Sequence, residues 1–172
     1  MKFLVFSDNH RNREYLQEML KNHKNIEVVI SLGDSEMSEA ELTALGVFGV
    51  RGNYPFEPRF PYELNLEFGG VRFLFVHGHL YNVKNTLSNL VDKAIALDVD
   101  IVFYGHTHVA KISDHEGVIL VNPGALSSSR SAYPPSYALI ETKEQEVVIK
   151  IIDSRSESTI LEKSINYPKR RS

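Results

Sequence analysis

Clusters of histidine, aspartate and asparagine follow five apolar runs of the sequence. The runs span residues 3–6, 28–32, 47–50, 71–76 and 101–104, and they are rich in the β-branched and aromatic residues that favour buried strands. The polar residues that follow them are Asp8, His10, Asp34, Asn53, His77, His106 and His108. Open α/β sheets bring the loops at the carboxyl ends of their strands to one edge. Because gathered carboxylates and imidazoles need a compensating charge, we predict that these seven residues hold divalent cations in one shared site.

The donor types restrict the metal. The chain contains no cysteine, so the ligands must be nitrogen and oxygen atoms. Asp34 has two carboxylate oxygens and is our candidate for a ligand that bridges two metals. Mixed imidazole and carboxylate donors suit manganese, iron, zinc or nickel better than magnesium. We therefore expect two divalent ions, with Mn²⁺ as the first choice and Ni²⁺, Zn²⁺ or Fe²⁺ as alternatives.

Length and composition are typical of one compact domain. The chain has 172 residues, 42% of them hydrophobic, and a formal net charge of −3. This charge gives no strong nucleic-acid signal, and no apolar stretch approaches the length of a membrane span. The sequence thus predicts a cytoplasmic protein, with a homo-oligomer left open. We expect a single domain over residues 1–153 and a polar C-terminal tail over 154–172 that is partly ordered or frayed.

The hydrophobic periodicity predicts an α/β fold with two kinds of strand pairing. A βαβαβ beginning favours a parallel core sheet, whereas three later strand pairs read as antiparallel hairpins, one of them around Gly69-Gly70. Asn12 and Ser38 are candidate helix caps. The predicted helices span residues 11–23, 38–45 and 83–97. So many strands in so short a chain indicate two packed mixed sheets with helices outside.

The order of the polar motifs resembles the calcineurin-like metallophosphoesterase family. The motifs are D-x-H, G-D, G-N, H and G-H-x-H, and the chain is most similar to the small bacterial and archaeal phosphodiesterase branch. The resemblance implies a four-layer αββα sandwich. It also implies one metal held by Asp8, His10, Asp34 and His108, and another held by Asp34, Asn53, His77 and His106. The implied activity is hydrolysis of a small phosphodiester by attack of metal-bound hydroxide.

The sequence departs from the family pattern after Asn53. Many relatives continue with His or Cys and then an acidic residue, whereas this chain has Tyr54-Pro55. His79, which we expect on the same side of an extended segment as His77, is a candidate proton donor or supporting group. Asn53 and Arg130 are candidate contacts to the substrate phosphate. Two other functions stay open: a phosphomonoesterase using the same site, and a catalytically weak metal-binding scaffold for protein interaction.

Overall fold

The computed structural model describes residues 1–127 and 133–167. Within these residues the helices are α1 (Arg13–Asn22), α2 (Glu39–Ala44) and α3 (Ser88–Ala96), with one turn of 3₁₀ helix at His79–Tyr81. The strands are β1 (Lys2–Phe6), β2 (Val28–Ser31), β3 (Val47–Gly49), β4 (Glu63–Phe68), β5 (Val71–Val76), β6 (Ile101–Phe103), β7 (Lys111–His115), β8 (Val118–Asn122), β9 (Ser136–Lys143), β10 (Glu146–Asp153) and β11 (Thr159–Asn166).

The strands form two mixed sheets. One sheet has the order β11-β10-β9-β1-β2-β3, and the other has the order β4-β5-β6-β8-β7. The neighbours β1, β2 and β3 are parallel, as are β5, β6 and β8. The remaining pairs are antiparallel; all of them are hairpins of consecutive strands except the pair of β1 with β9. Each sheet therefore contains parallel strands, and the loops that follow these strands can contribute residues to one site.

The sheets pack face to face, with helices on their outer faces. Side chains of β1 alternate between the two faces, so Phe3 and Val5 enter the core between the sheets while Leu4 and Phe6 pack under α1 and α2. The second sheet packs its outer face against α3, where Leu90 lies in the cluster. This arrangement confirms the predicted four-layer αββα sandwich.

Local signals in the sequence account for several element boundaries. The side chain of Asn12 accepts a hydrogen bond from the Tyr15 amide at 3.0 Å and caps α1. Ser38 caps α2 by accepting from the Glu41 amide at 3.1 Å. Gly69 and Gly70 have φ values of 60° and 80°, which a two-residue hairpin turn between β4 and β5 requires. These predictions are confirmed.

The third helix is shorter than its periodicity predicted. It begins at Ser88, and residues 82–87 form turns in which the amides of Asn85 and Thr86 bond to the Asn82 carbonyl. Asn82 itself has a φ of 56°. Val83 is nevertheless buried against the same core cluster as the helix. Because Val83 is apolar and buried although it lies in a turn, the apolar pattern of the sequence predicted an additional helical turn.

The region expected to be a tail contains an ordered strand. Residues 159–166 form β11, which pairs antiparallel with β10, and Leu161 and Ile165 pack against the core between the sheets. The tail was expected to be partly ordered or frayed, and these residues belong to an ordered part, because an outermost strand needs few apolar side chains to be held by its neighbour. Residues 168–172 lie outside the described part. Of the helices in residues 1–127 and 133–167, none has the length and apolar character needed to cross a membrane.

Candidate metal centre

The predicted donors follow the carboxyl ends of strands in both sheets. Asp8 and Asp34 follow β1 and β2, and His77 directly follows β5. Backbone hydrogen bonds join these loops: the Asp8 amide donates to the Gly33 carbonyl at 3.1 Å, and the Gly105 amide donates to the His77 carbonyl at 2.9 Å. The two sheets meet closely here, since a Cβ at Gly105 would collide with the Ser7 hydroxyl. Glycine at this position lets the donor loops of both sheets approach one another.

The structure brings six of the seven predicted donors into two adjacent groups. One group consists of Asp8, His10 and His108, and the other of Asp34, His77 and His106. In each group the candidate ligand atoms lie within 4.8 Å of one another. The groups adjoin, because Asp8 Oδ1 lies 3.8 Å from His77 Nε2. Both aspartates and His77 are buried, whereas the other three histidines are half-buried and leave the site accessible from one side.

Asp34 and Asn53 were both predicted to contact the second metal. Asp34 belongs to that group, with its Oδ2 at 3.1 Å from His77 Nε2. Asn53 lies exposed in the bend after Gly52, and the next residue, Tyr54, donates its amide to Asp34 Oδ1 at 3.2 Å. The loop that carries Asn53 is thus anchored on Asp34. The bridging role of Asp34 and ligation by Asn53 stay predictions.

Hydrogen bonds at the outer nitrogens orient two of the imidazoles. His77 Nδ1 lies 2.8 Å from the carbonyl of Leu32, which can only accept, so this nitrogen carries a proton. His10 Nδ1 lies 3.4 Å from a carboxylate oxygen of Glu36. In the neutral tautomers that these contacts favour, both Nε2 atoms keep their lone pairs and point into the donor groups. The two side chains are therefore arranged as metal ligands are.

Pairs of imidazole nitrogens face each other inside the groups. His10 Nε2 lies 3.4 Å from His108 Nε2, and His106 Nδ1 lies 3.2 Å from His77 Nε2. Two such nitrogens satisfy each other only if one of them carries a proton. A cation placed among them would satisfy both lone pairs together with the neighbouring carboxylate. The donor set therefore fits a pair of divalent ions with mixed nitrogen and oxygen ligands.

The electrostatics of the cluster point the same way. Burial alone would raise the pKa of Asp8, but the hydrogen bond from His108 and the charge of His77 lower it. Burial would lower the pKa of His77, yet its hydrogen bond to Asp34 and the charges of both aspartates raise it. Burial and the charge of His77 lower the pKa of His106 to about 4. The pKa of His108 is also raised, chiefly by its hydrogen bond to Asp8, so a metal ion that binds these imidazoles competes with protons.

The backbone of the donor loops is strained. Five of the predicted ligands have φ values in the left-handed region, which few residues other than glycine adopt. They are Asp8 at 53°, His10 at 42°, Asp34 at 52°, His106 at 68° and His108 at 63°. Such conformations cost free energy and cluster at functional sites, where the surrounding structure imposes them. The loops therefore hold the donors in place through the fold itself.

His79 lies beside the donor groups in a different conformation from the one predicted. The chain turns at Gly78, whose φ is 112°, and His79 begins the 3₁₀ helix, so the expected extended segment was wrong. Its ring centroid still lies 5.4 Å from that of His77 and 6.3 Å from that of His106. Burial and the charge of His77 lower its pKa. Arg130, the other predicted substrate contact, lies outside the described residues.

Sequence reasoning missed Glu57, a buried carboxyl group near the site. Glu57 is 1% exposed, and its Oε1 accepts hydrogen bonds from the amide of Ser35, at 3.0 Å, and from the Ser35 hydroxyl. Because Ser35 follows Asp34, this contact fastens the loop after β3 to the loop after β2. Ser7 was also missed, and its hydroxyl donates to Asp8 Oδ2 at 2.5 Å. Neither residue has a sequence signal that separates it from an ordinary loop residue.

The fold and the two donor groups define a metal-binding αββα sandwich, and comparison with known proteins identifies the family. The model of the calcineurin-like phosphoesterase superfamily domain matches residues 1–145, so the chain belongs to that superfamily. It is 34% identical over 155 residues to the probable metallophosphoesterase YsnB of Bacillus subtilis, covering 89% of this chain and 91% of that protein. This confirms the resemblance seen in the motifs and supports a metal-dependent phosphoesterase.

Solved structures share the fold over almost the whole chain. A predicted phosphoesterase from Streptococcus pneumoniae superposes with a TM-score of 0.84 and 25% identity, covering 96% of this chain and 97% of that one. Vacuolar protein sorting 29 from Cryptosporidium parvum superposes with a TM-score of 0.81 and 23% identity, covering 96% of this chain and 98% of that one. The second likeness shows the fold alone.

Proposed function

We propose that this protein is a two-metal-dependent phosphodiesterase that hydrolyses a small phosphodiester. The observation that carries the proposal is the pair of adjoining donor groups, Asp8–His10–His108 and Asp34–His77–His106. Three donors in each group leave coordination positions open for water and substrate, as catalytic metal sites require. Membership of the phosphoesterase superfamily supports the same reaction class.

The aspartates and His77 would have different roles in binding two cations. Asp8 and Asp34 supply the negative charge, and His77 lies between them, within 3.8 Å of the first carboxylate and 3.1 Å of the second. Two bound divalent ions would polarise the phosphate oxygens and lower the pKa of water to about 7. We assign Mn²⁺ as the preferred metal because the donors mix imidazole with carboxylate.

Residues beside the metals would position the substrate and handle the leaving group. Asn53 lies on the exposed side of the site and is our candidate for a ligand of the second metal that also contacts a phosphate oxygen. His79 is our candidate for the group that delivers a proton to the leaving oxygen or supports the ligands. Burial and the charge of His77 lower its pKa, so a smaller fraction of His79 than of an ordinary histidine carries a transferable proton at neutral pH. Diesters whose leaving group departs without a proton should therefore react fastest.

A hydrolysis panel tests the proposal. Chelator-treated protein is loaded with Mn²⁺, Ni²⁺, Zn²⁺ or Fe²⁺, and rates are measured on bis(p-nitrophenyl) phosphate, p-nitrophenyl phosphate and cyclic nucleotides. We expect metal-dependent turnover with the diester preferred, and loss of that turnover in Asp34→Asn. The matched control is Asp92→Asn, the same change at an exposed position on α3. A preference for the monoester would identify a phosphomonoesterase, and stoichiometric metal binding without hydrolysis would identify a scaffold.

A further inference from the structure

The loop between β3 and β4 presents three large aromatic side chains to solvent. Tyr54 is 43% exposed, Phe56 is 39% exposed and Tyr62 is 47% exposed. Single exposed apolar residues are common, but a group of aromatic side chains next to a cluster of candidate metal ligands points to a binding surface. This is the same loop that carries Asn53 and is anchored on Asp34. We call Tyr54, Phe56 and Tyr62 the aromatic rim.

Two residues of the aromatic rim adjoin different parts of the metal centre. The ring of Tyr54 lies 6.1 Å from that of His10, at an interplanar angle of 88°. The ring of Tyr62 lies 6.1 Å from that of His79, which in turn lies 5.4 Å from His77. Tyr54 thus lies beside the donor group that contains His10. Tyr62 is separated from the donor group that contains His77 by the ring of His79. A group attached to a phosphate in the centre can reach either tyrosine.

Positive charge accompanies the aromatic rim. The guanidinium of Arg51 lies 3.8 Å from the ring centroid of Tyr62, and that of Arg11 lies 5.6 Å from the ring centroid of Phe56. Both arginines donate to backbone carbonyls, at Pro58 and Glu36, and these neutral acceptors do not cancel their charge. The rim therefore combines planar stacking surfaces with cations that favour an anionic ligand.

We infer that the aromatic rim binds a planar aromatic group carried by the phosphodiester, either a nucleobase or an aryl ring. The planar group stacks on Tyr54 or Tyr62 while the phosphate occupies the metal centre. Stacking is the mode that these side chains offer, because aromatic rings and guanidinium groups present flat faces to a ligand. The inference rests on the proposed phosphodiesterase function and narrows its substrates to diesters with a planar substituent.

Equilibrium binding of two phosphinates, whose P–C bonds the enzyme cannot hydrolyse, tests the inference. Isothermal titration of the Mn²⁺-loaded protein compares diphenylphosphinate with dicyclohexylphosphinate, which is similar in size and apolar but not planar. Stacking of one ring should make diphenylphosphinate bind roughly 5- to 150-fold more tightly. The double variant Tyr54→Leu/Tyr62→Leu should lose this preference, whereas Tyr54→Phe/Tyr62→Phe should keep it. Phe48→Leu changes an exposed aromatic residue outside the rim and should also keep it.

The outcomes separate this inference from the proposed function. Equal affinities of the two phosphinates, binding of neither, or an unchanged preference in the double leucine variant would overturn the inference. Absence of hydrolysis in the metal panel would overturn the proposed function, whatever the binding preference. Metal content and thermal unfolding of each variant are measured beside the titrations, so that a variant with an altered fold is replaced by the corresponding single substitution.

Discussion

Replacing Glu57 should show how firmly the loop after β3 is fastened to the site. Glu57→Ala removes the acceptor of the Ser35 amide and hydroxyl, both of which are buried. Each buried donor left without a partner costs about 1–3 kcal/mol, and the hydroxyl can turn partly toward the Met37 carbonyl, so we expect a total loss of about 2–4 kcal/mol. For a chain of this size that corresponds to a fall in Tm of roughly 4–16 °C.

Glu57→Gln separates the hydrogen bonds from the charge. Its amide oxygen can still accept from Ser35, so Glu57→Gln should lose less stability at neutral pH than Glu57→Ala. Burial raises the pKa of Glu57 above its usual 4.5, although the hydrogen bonds from Ser35 act in the opposite direction. The carboxyl group therefore contributes stability below its unfolded pKa that is lost as the pH rises through the folded pKa. Relative to the native protein, Glu57→Gln should gain stability as the pH rises from 4.5 toward neutral.

Denaturant unfolding of the three proteins across that pH range measures both effects. Comparing differences between proteins removes the contributions of groups that titrate alike in all of them. A loss below 1 kcal/mol in Glu57→Ala would refute the tether between the loops. A stability difference between Glu57→Gln and the native protein that does not change with pH would refute the argument from the raised pKa of Glu57.

Three further predictions concern catalysis, metal binding and the core. Asp34→Asn should lower kcat/KM more than His79→Ala, because Asp34 belongs to a donor group and His79 only adjoins one; equal losses in steady-state assays would contradict this ranking. Adding Mn²⁺ to chelator-treated protein at about 100 times its Kd should stabilise it by about 2.7 kcal/mol per site, a rise in Tm of roughly 5–11 °C. An unchanged Tm would count against the metal sites. Tyr137→Phe should cost about 1.5–3 kcal/mol in denaturant unfolding, because its buried hydroxyl donates to Glu157 at 2.7 Å. The hydroxyl of Tyr15 accepts from the exposed side chain of Arg155, so Tyr15→Phe should lower the free energy of unfolding by less than about 0.5 kcal/mol. Equal losses of stability in the two variants would refute the role of burial.

The fold was predictable where the sequence carries a strong local signal. Alternation in β1 places Phe3 between the sheets and Leu4 under the helices, and the glycine pair at 69–70 sets the register of a hairpin. The same strand-end argument predicted the donors, because residues that follow neighbouring parallel strands lie at one edge of a sheet. Asp34 and His77 follow strands of different sheets, so the strand-end argument by itself did not require them to meet.

The rest depended on tertiary contacts that leave little trace in sequence. Val83 packs into the core from a turn, so its periodicity extended α3 too far. The strand β11 is held by pairing with β10 and needs few apolar residues, so its composition resembled a tail. Glu57 is buried where its carboxyl group accepts hydrogen bonds from Ser35, whereas a carboxylate in a loop is ordinarily exposed. In each case the structure depends on a contact that the local pattern of apolar and polar residues does not reveal.

Anomalous diffraction from crystals grown with Mn²⁺ tests the central claim most directly. Data collected on either side of the manganese absorption edge would locate the ions without reference to activity. We predict two peaks roughly 3.5–4 Å apart, one against Asp8, His10 and His108 and the other against Asp34, His77 and His106. A single peak, or no peak among these residues at saturating Mn²⁺, would contradict the two-metal account.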